Sequence, residues 1–456
     1  MSSEMWIQFP KLDLPLQGAD QIAIPPMYRI MQRFDDQHIQ DVSVRLREQL
    51  ESSVPDHEAL RGKRLALTVG SRGIPELDKL VRTICDTCKE WGAEPFIVPA
   101  MGSHGGATAE GQRQILEEYG ITPGTMGVPV FSSMEVVRYG ALEDGTPLYC
   151  DKNAWEADGV ILFNKVKPHT DFRGKHESGL GKMVAIGLAK GKGASVFHTK
   201  RLSRFPEYIP KVTEIFMKTG KVAFGVGVVQ NAYDQICRIE ACGSADILEM
   251  DARLQAFAKT QLPRFKFDRC DVLVVDEIGK NISGSGMDPN ITGRNDSGDF
   301  SGVLDLQRLV VLGITEESCH NGCGINLCDL SVRRCLNEID WYATWLNNVT
   351  ASMLSRGQIP TYVETDREAV RTAIRTCVET DFDRPRVARI KNTLHMWEIL
   401  VSEALYQDIK GRGDVVLLSG PEEMPFDADG FLRKDIWDQT RPEPFNSDTC
   451  PESEEF

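Results

Sequence analysis

Residues 63–106 read KRLALTVGSRGIPELDKLVRTICDTCKEWGAEPFIVPAMGSHGG, and the expected architecture follows from this stretch. Its two apolar runs, RLALTV and EPFIVP, have the length of buried strands. Between them, the apolar residues of PELDKLVRTICDTCKEWGA recur with helical spacing, with a proline at the start and a glycine at the end. A strand, a helix and a second strand in this order predict a parallel pair joined by a crossover helix.

The same alternation continues beyond this stretch. TAEGQRQILEEYGI predicts a helix with Thr108 as its N-cap, DGVILFNKV predicts a third strand, and KVAFGVGVVQNAYDQICRIEAC predicts two more. The predicted class is therefore α/β, with a mostly parallel sheet and helices on both faces over residues 1–265. Further strands and helices predict a smaller α/β domain over residues 266–420, in which RPRVARIKNTLHMWEILVSEAL is expected to be helical. The acidic, proline-rich residues 421–456 are expected to form a loose or surface-bound tail.

Bulk composition excludes several classes of protein. The 456-residue chain carries a formal charge of -15, which argues against general nucleic-acid binding. Its longest apolar runs are far shorter than a membrane span, and the first twenty residues lack the pattern of a secretory signal. A cytoplasmic protein with reduced thiols is therefore expected.

The twelve cysteines do not predict a disulfide framework. Cys85 and Cys88 form a CxxC pair inside a predicted helix, where a redox role is disfavoured. The group in CHNGCGINLCDLSVRRC, residues 319–335, matches no common zinc or iron–sulfur spacing, so buried small side chains are favoured over a metal site.

Three of the predicted strands end in loops that carry reactive side chains. These loops contain Ser71 and Arg72, then His104 between glycines, then His169 after Lys165 and Lys167. Ligands of parallel sheets bind beyond the carboxyl ends of the strands, so residues far apart in sequence are expected to meet at one edge. Imidazole serves as a base or as a metal ligand near neutral pH.

A basic segment follows directly in this acidic chain. Between Lys165 and Arg201 there are nine Lys or Arg, two acids, three His and six Gly, so an anionic ligand is expected. The segment satisfies neither the Walker A pattern nor a dinucleotide fingerprint. Its glycines, with Lys182, Lys190 and Lys192, could bind a phosphate, and a solvated basic loop is the equal alternative.

Five motifs follow one another along the chain: TVGSRG, MGSHGG, KPHTDF, the Gly/Lys segment that ends in FH, and DEIGKNISG. The same order is seen in the lactate racemase family, which this chain resembles over most of its length. The resemblance implies an active site between two domains and a nickel-pincer nucleotide, the Ni-bound pyridinium-3,5-bisthiocarboxylic acid mononucleotide. In that family a lysine is joined to the cofactor as a thioamide, and a histidine completes the nickel coordination.

Transferred motif by motif, the resemblance implies a role for each of several residues. The acid/base histidines would be His104 and His169, and the substrate-binding side chains would be Arg72, Lys280 and Glu277. The cofactor-binding segment would contain Lys182, Ser178, Gly179 and Gly181, and the nickel ligand would be His198. It also implies a small 2-hydroxyacid as substrate and partner enzymes that build the cofactor, and it implies neither nucleic acid nor membrane.

The chain departs from the family at several of these motifs. Val69 stands where lactate racemases have aspartate, Gly105 where they often have arginine, and Glu277 where they have glutamine. The segment between His169 and Lys182 is about three residues longer. These differences argue against lactate itself, and the additional cations favour a larger or doubly anionic hydroxyacid.

The implied reaction inverts C2 of a 2-hydroxyacid: one histidine takes the hydroxyl proton while hydride moves to the cofactor, and hydride then returns to the opposite face. Two alternatives remain open from the sequence. The chain could be a zinc hydrolase that uses His169, His176 and His198, although no HExxH motif supports it. It could also be a protein that binds a phosphorylated ligand without turnover.

Overall fold

Strands and helices alternate along the chain. The computed structural model describes residues 4–14, 16–54, 57–71, 73–296, 300, 302–350 and 352–437. Within these residues the strands are β1 (Met27–Gln32), β2 (Arg64–Val69), β3 (Glu94–Pro99), β4 (Val136–Ala141), β5 (Pro147–Asp151), β6 (Gly159–Lys165), β7 (Val222–Gln230), β8 (Ile236–Gly243), β9 (Arg269–Val275), β10 (Asp305–Val311), β11 (Leu330–Val332), β12 (Thr361–Val363), β13 (Val387–Ile390), β14 (Glu398–Ser402) and β15 (Val415–Glu422).

The helices range from single turns to four turns. They are α1 (Val42–Ser53), α2 (Leu77–Glu90), α3 (Ala109–Glu118), α4 (Pro123–Met126), α5 (Lys152–Glu156), α6 (Leu180–Lys182), α7 (Lys190–His198), α8 (Phe205–Met217), α9 (Ile247–Thr260), α10 (Pro289–Thr292), α11 (Arg333–Asn337), α12 (Trp341–Thr350), α13 (Asp366–Arg375) and α14 (Glu403–Ile409). A π-helical turn, Met183–Gly187, continues α6 toward α7. In the part of the chain that the structure describes, no helix has the length and apolarity that a membrane crossing requires.

Two compact units divide the chain. One unit is Gln37–Leu262, and the described residues up to Asp36 and from Pro263 onward form the other. The sequence predicts a first domain over residues 1–265, which includes these first 36 residues. In the structure β1 instead pairs antiparallel with β14 and β15, because its alternating buried residues, among them Met27 and Ile30, complete the other sheet.

The sheet of the Gln37–Leu262 unit has the order β3-β2-β6-β7-β8 in its described part. Its first four strands are parallel, and β8 runs antiparallel to β7. Alternate residues of β2 point to different cores: Leu65 and Leu67 pack with α1 and α2, while Ala66 packs with the core that contains α8 and α9 residues. The predicted mostly parallel sheet with helices on both faces is confirmed.

The crossover helix α2 forms where its periodicity predicts it. Leu80, Val81 and Ile84 are fully buried against the sheet, and each such side chain contributes about 2 kcal/mol when it leaves water. The CxxC pair lies inside this helix, and both thiols are buried. Burial raises the pKa of Cys85 to about 12, which suppresses the thiolate that redox chemistry needs.

The sheet of the other unit has the order β12-β11-β10-β9-β13-β14-β1-β15 in its described part. The strands from β12 to β13 are parallel, and β14, β1 and β15 are antiparallel to their neighbours. The helix predicted over residues 384–405 is wrong, since these residues form β13, β14 and only the start of α14. Every residue of both strands is buried, so they lack the alternation by which a half-exposed strand is recognised.

The tail predicted from residue 421 is ordered over its first part. β15 extends to Glu422, and Met424, Leu432 and Trp437 are buried in the core of this unit. Trp437 Nε1 donates a hydrogen bond of 2.8 Å to Asp276, whose carboxylate also forms a buried pair with Arg389. The rest of the predicted tail, residues 438–456, lies outside the described residues.

The cysteine group at residues 319–335 does not form a metal site among the described side chains, where no cluster of three possible ligands occurs. Cys323, Cys328 and Cys335 are buried, while Cys319 is exposed. Burial raises the pKa of Cys335 to about 11. The interpretation as small buried side chains therefore describes three of these four cysteines.

We predict that iodoacetamide at pH 8 alkylates Cys319 in the folded protein and leaves Cys85 unmodified. With a pKa near 12, only about one Cys85 in ten thousand is thiolate at pH 8, and burial blocks access as well. Peptide mass spectrometry measures both sites, and labelling in urea is the control in which both must react. Equal labelling of the two sites in the native protein would contradict this prediction.

Candidate active site

Three neighbouring strands bring the reactive loops to one edge of a sheet. β2 lies between β3 and β6 and is parallel to both, so the loops after these strands leave the same edge. Gly70, at the end of β2, lies close to the segment that carries Lys182, since a Cβ placed on it would be 3.4 Å from Met183 Cε. The sheet thus brings together segments more than 100 residues apart in sequence.

His104 lies in the loop between β3 and α3 and is exposed. Ser71 Oγ, from the neighbouring β2 loop, is hydrogen-bonded to His104 Nδ1. Gly105 permits the turn, because its φ is +65° and a Cβ there would lie 2.6 Å from the backbone N of Gln112. Thr108 Oγ1 accepts a hydrogen bond of 3.0 Å from Gly111 N, so Thr108 is the N-cap of α3, as predicted.

His169 contacts Lys182 directly. Its Nε2 lies 2.7 Å from Lys182 Nζ, and its Nδ1 accepts a hydrogen bond of 3.0 Å from Asp171 N. A nitrogen that accepts a hydrogen bond carries no proton, so the proton of neutral His169 is on Nε2. Both contacts are satisfied together when Nε2–H donates to an uncharged Lys182 amine, which is the nucleophilic form of lysine.

A buried carboxylate holds the His169 loop. Glu177 Oε2 accepts a hydrogen bond of 2.8 Å from His169 N, and Oε1 accepts one of 2.8 Å from Gly174 N. Lys259, on α9, lies 2.6 Å from Glu177 Oε1 and donates a hydrogen bond to Gly174 O. The Glu177 side chain is wholly buried, and this acid orders both ends of the turn that follows His169.

Helix α9 supports the glycine-rich turn that precedes Lys182. Asp251, which is 1% exposed, lies 3.1 Å from His176 Nδ1 and accepts a hydrogen bond of 2.6 Å from Leu180 N. A Cβ on Gly179 would lie 2.0 Å from Asp251 Oδ1, so this glycine is required by packing against Asp251. Gly181 is less restricted, since its Cβ would lie 3.0 Å from Ile209 Cγ2, a side-chain methyl group that a small shift would move away.

The three lysines considered for phosphate binding have different environments. Lys182 is partly exposed, and Lys192 is exposed with its Nζ 4.8 Å from the ring centroid of Tyr149. Lys190 is fully buried and paired with Asp151 at 3.2 Å. A phosphate-binding role for Lys190 is therefore wrong, because its ammonium group already has protein partners and no access to solvent.

For three further predicted site residues, the structure shows no side-chain contact that bears on the predicted role. Arg72 lies outside the described residues, and of His198 only the backbone, at the end of α7, is described. Ser178 contributes backbone contacts: its O accepts a hydrogen bond of 2.8 Å from Lys167 N, and its N faces Gln255 Oε1 at 3.4 Å. The roles assigned to these three residues stay predictions.

Glu277 and Lys280 belong to the other unit. Glu277 Oε1 accepts a hydrogen bond of 3.0 Å from Asn392 Nδ2, and Lys280 N donates one of 3.0 Å to Ser318 Oγ. A Cβ on Gly279 would lie 2.1 Å from Thr315 Oγ1, so the loop is packed closely on its neighbours. Both side chains are partly exposed, and their contact with substrate stays a prediction.

Sequence reasoning missed Glu177 and Asp251. Glu177 is one of only two acids in the basic segment, and this rarity was the available signal. Asp251 and Gln255 lie one helical turn apart on the buried face of α9, where polar residues interrupt an apolar stripe. A polar residue on such a stripe indicates a specific partner, because an unpaired buried carboxylate is costly.

The fold and these contacts define an α/β protein with a histidine–lysine pair at the carboxyl edge of a parallel sheet. The model of the lactate racemase N-terminal domain matches residues 45–205. These residues are therefore similar to that domain, and they contain four of the five motifs on which the resemblance rests.

Two solved structures are similar to larger parts of the chain. The lactate racemase apoprotein from Thermoanaerobacterium thermosaccharolyticum is 17% identical, with a TM-score of 0.44 over 74% of this chain and 87% of that chain. A protein from Thermotoga maritima, determined by the Northeast Structural Genomics Consortium, is 14% identical, with a TM-score of 0.45 over 71% of this chain and 84% of that chain. No curated protein matches the chain.

We predict that Glu177→Gln lowers the free energy of unfolding by about 2 kcal/mol, because an amide NH₂ would face one of the two buried N–H groups that now donate to the carboxylate. Urea denaturation measures the loss. Glu207→Gln is the matched control, since Glu207 is likewise ion-paired, with Arg204 and Lys211, but is exposed, and it should cost less than about 1 kcal/mol. Equal losses for the two variants would show that Glu177 has no special structural role.

Proposed function

We propose that this protein is a 2-hydroxyacid racemase or epimerase that carries a nickel-pincer nucleotide on Lys182. One observation carries the proposal: the loops of His104 and His169 flank the β2 loop at one edge of the sheet. Because two strand spacings separate β3 from β6, these loops leave the sheet about 10 Å apart. A small planar substrate fits between two bases at that separation, and inversion at one carbon needs a base on each side.

The residues around Lys182 fit a covalently attached cofactor. Its amine is partly exposed and lies 2.7 Å from the imidazole of His169, which favours the uncharged form. Condensation of that amine with a thiocarboxylic acid arm of the cofactor, with loss of water, would give the thioamide. When bound, the nickel-pincer nucleotide supplies an electron-poor ring that accepts and returns hydride. His198 is the proposed nickel ligand, and the backbone of Ser178, Gly179 and Gly181 forms the adjacent turn.

His104 and His169 are the proposed acid/base pair. For one enantiomer the first imidazole takes the hydroxyl proton as hydride leaves C2, which gives a flat 2-keto acid and an imidazolium. The second imidazole, protonated at the outset, gives its proton to the carbonyl oxygen when hydride adds to the opposite face, and the two imidazoles exchange these roles for the other enantiomer. The Ser71 hydroxyl orients the His104 ring through Nδ1, and the proposed contact with the substrate is through Nε2.

Substrate binding is assigned to Arg72, Lys280 and Glu277. A guanidinium binds a carboxylate in a bidentate manner, and this role is proposed for Arg72, which directly follows Ser71 in sequence. Arg173 and Lys175, on the loop between His169 and Glu177, are both exposed. These two cations support a substrate with a second anionic group, such as a dicarboxylic or sugar-acid hydroxyacid.

The zinc hydrolase has less support. Both ring nitrogens of His169 contact protein atoms, and His176 Nδ1 faces Asp251. A zinc site on these side chains would require the turn between them to rearrange. A binding protein without turnover would keep the ligand contacts and never convert a hydroxyacid.

We predict that protein produced together with the cofactor-building enzymes contains nickel and carries added mass on the peptide with Lys182. Lys182→Arg should abolish the added mass, because guanidinium is not a nucleophile at neutral pH. Lys192→Arg is the matched control in the same segment, and its nickel content and added mass should equal those of the wild type. Metal analysis that finds zinc without nickel would favour the hydrolase.

We predict that this cofactor-loaded protein inverts C2 of at least one 2-hydroxyacid in a panel that includes dicarboxylic and sugar acids. His104→Gln and His169→Gln should each lower kcat by at least about 100-fold, since each removes one of two required proton acceptors. Chiral chromatography of the products measures the conversion. Retained ligand binding with no conversion of any acid by the loaded wild type would establish the binding-protein alternative instead.

A further inference from the structure

The loop that carries His104 has an irregular, glycine-rich backbone in which Ala107 is the one non-glycine residue with a positive φ. Four of its residues, Gly102, Gly105, Gly106 and Ala107, have φ between +55° and +65°, a region that non-glycine residues rarely adopt. The loop is also largely exposed, and β3 itself ends at Pro99. A loop of this kind needs a specific anchor if its imidazole is to keep one position.

Gln112, a fully buried residue of α3, forms hydrogen bonds to the backbone of this loop. Its Nε2 donates hydrogen bonds of 2.9 Å to Gly102 O and 3.2 Å to His104 O. The two carbonyls flank Ser103, so the amide holds the backbone at His104 and two residues before it. Ser71 contacts the ring of the same histidine, which is thus held at its backbone and at Nδ1.

The orientation of this amide is fixed by Lys190. Lys190 Nζ donates a hydrogen bond of 3.1 Å to Gln112 Oε1, and it also donates to Pro99 O. An ammonium group can only donate, so the amide must turn its oxygen toward Lys190 and its NH₂ toward the loop carbonyls. Lys190 thereby selects the one amide orientation that anchors His104.

A buried lysine needs a counter-charge, and Asp151 supplies it. Asp151 Oδ2 lies 3.2 Å from Lys190 Nζ, and neither side chain is exposed. Burial lowers the pKa of Lys190, and the carboxylate opposes that shift. Asp151 Oδ1 also accepts a hydrogen bond of 2.9 Å from Ala154 N at the start of α5, so the pair is tied to a helix as well as to the sheet.

We propose that Gln112 is a positioning residue for His104, and that the buried chain Asp151–Lys190–Gln112 joins the His104 loop to the segment that carries Lys182. Lys190 begins α7, which directly follows the turn that continues from Lys182. The chain therefore sets the place of an acid/base imidazole relative to the lysine that holds the cofactor. This role in turnover rests on the proposed racemase function.

Gln112→Glu tests this inference within the full-length, cofactor-loaded protein. Glutamate has the shape of glutamine and still accepts from Lys190, but as a carboxylate it cannot donate to Gly102 O or His104 O. Gln114→Glu is the matched control, because Gln114 is an exposed residue of the same helix. We expect Gln112→Glu to lower kcat by at least about tenfold with KM within about twofold, and the control to change neither.

A second measurement does not need turnover. In ¹⁵N-histidine spectra of the full chain, with the His104 signals assigned by their loss in His104→Gln, Gln112→Glu should shift the ring nitrogens of His104 and change their titration midpoint. The signals of His38, a histidine distant in sequence, should stay in place. If no hydroxyacid is converted by any form of the protein, the proposed function fails and the spectra still decide this inference.

Gln112→Met provides a second variant that adds no buried charge, and it should show the same kinetic and spectral changes. The inference is overturned if both variants keep kcat within about twofold of wild type and leave the His104 signals unchanged. It is equally overturned if both variants fail to fold, because Gln112 would then serve stability rather than the placement of His104.

Discussion

Hydrogen bonding of β2 to both β3 and β6 in parallel is the constraint on which the site depends. Parallel strands end at a common edge, so the loops of Ser71, His104 and His169 meet there although they are spread over 99 residues of sequence. An antiparallel neighbour would send its loop to the opposite edge and separate the two histidines by the length of a strand. The candidate site is thus arranged first by the strand pairing of the backbone and only then by side-chain contacts.

Charge in the Gly/Lys segment is divided between structure and chemistry. Lys190 is buried and bound to Asp151 and Gln112, and it cannot meet a ligand. Lys182 is partly exposed beside His169. Composition alone treats these lysines as equivalent, yet a buried ammonium with an ion-pair partner stabilises a single geometry, whereas an accessible amine beside an imidazole can react. Fewer positive charges are therefore available to bind an anion than the composition of this segment suggests.

The sequence predicted those parts of the fold whose patterns are local. α2, α3 and the strands around them form where periodicity and caps place them, because one face of each helix is buried and the other is exposed. The strands β13 and β14 were mistaken for helix because burial on both faces removes the alternation. The pairing of β1 with β14 spans more than 360 residues, and no local pattern specifies such a partner. In the site, motifs located His104, His169 and Lys182, but their anchors Glu177, Asp251 and Gln112 depend on tertiary contacts.

A single backbone donor links these anchors to reactivity. Asp171 N–H donates to His169 Nδ1, and this places the proton of the neutral ring on Nε2, where it meets Lys182 Nζ. Were Asp171 N turned away, Nδ1 could carry the proton, and Nε2 could then accept a hydrogen bond from Lys182 Nζ. Glu177 prevents that turn, because it binds His169 N and Gly174 N on either side of Asp171. A buried carboxylate thus fixes the backbone that sets the direction of hydrogen bonding between His169 and Lys182.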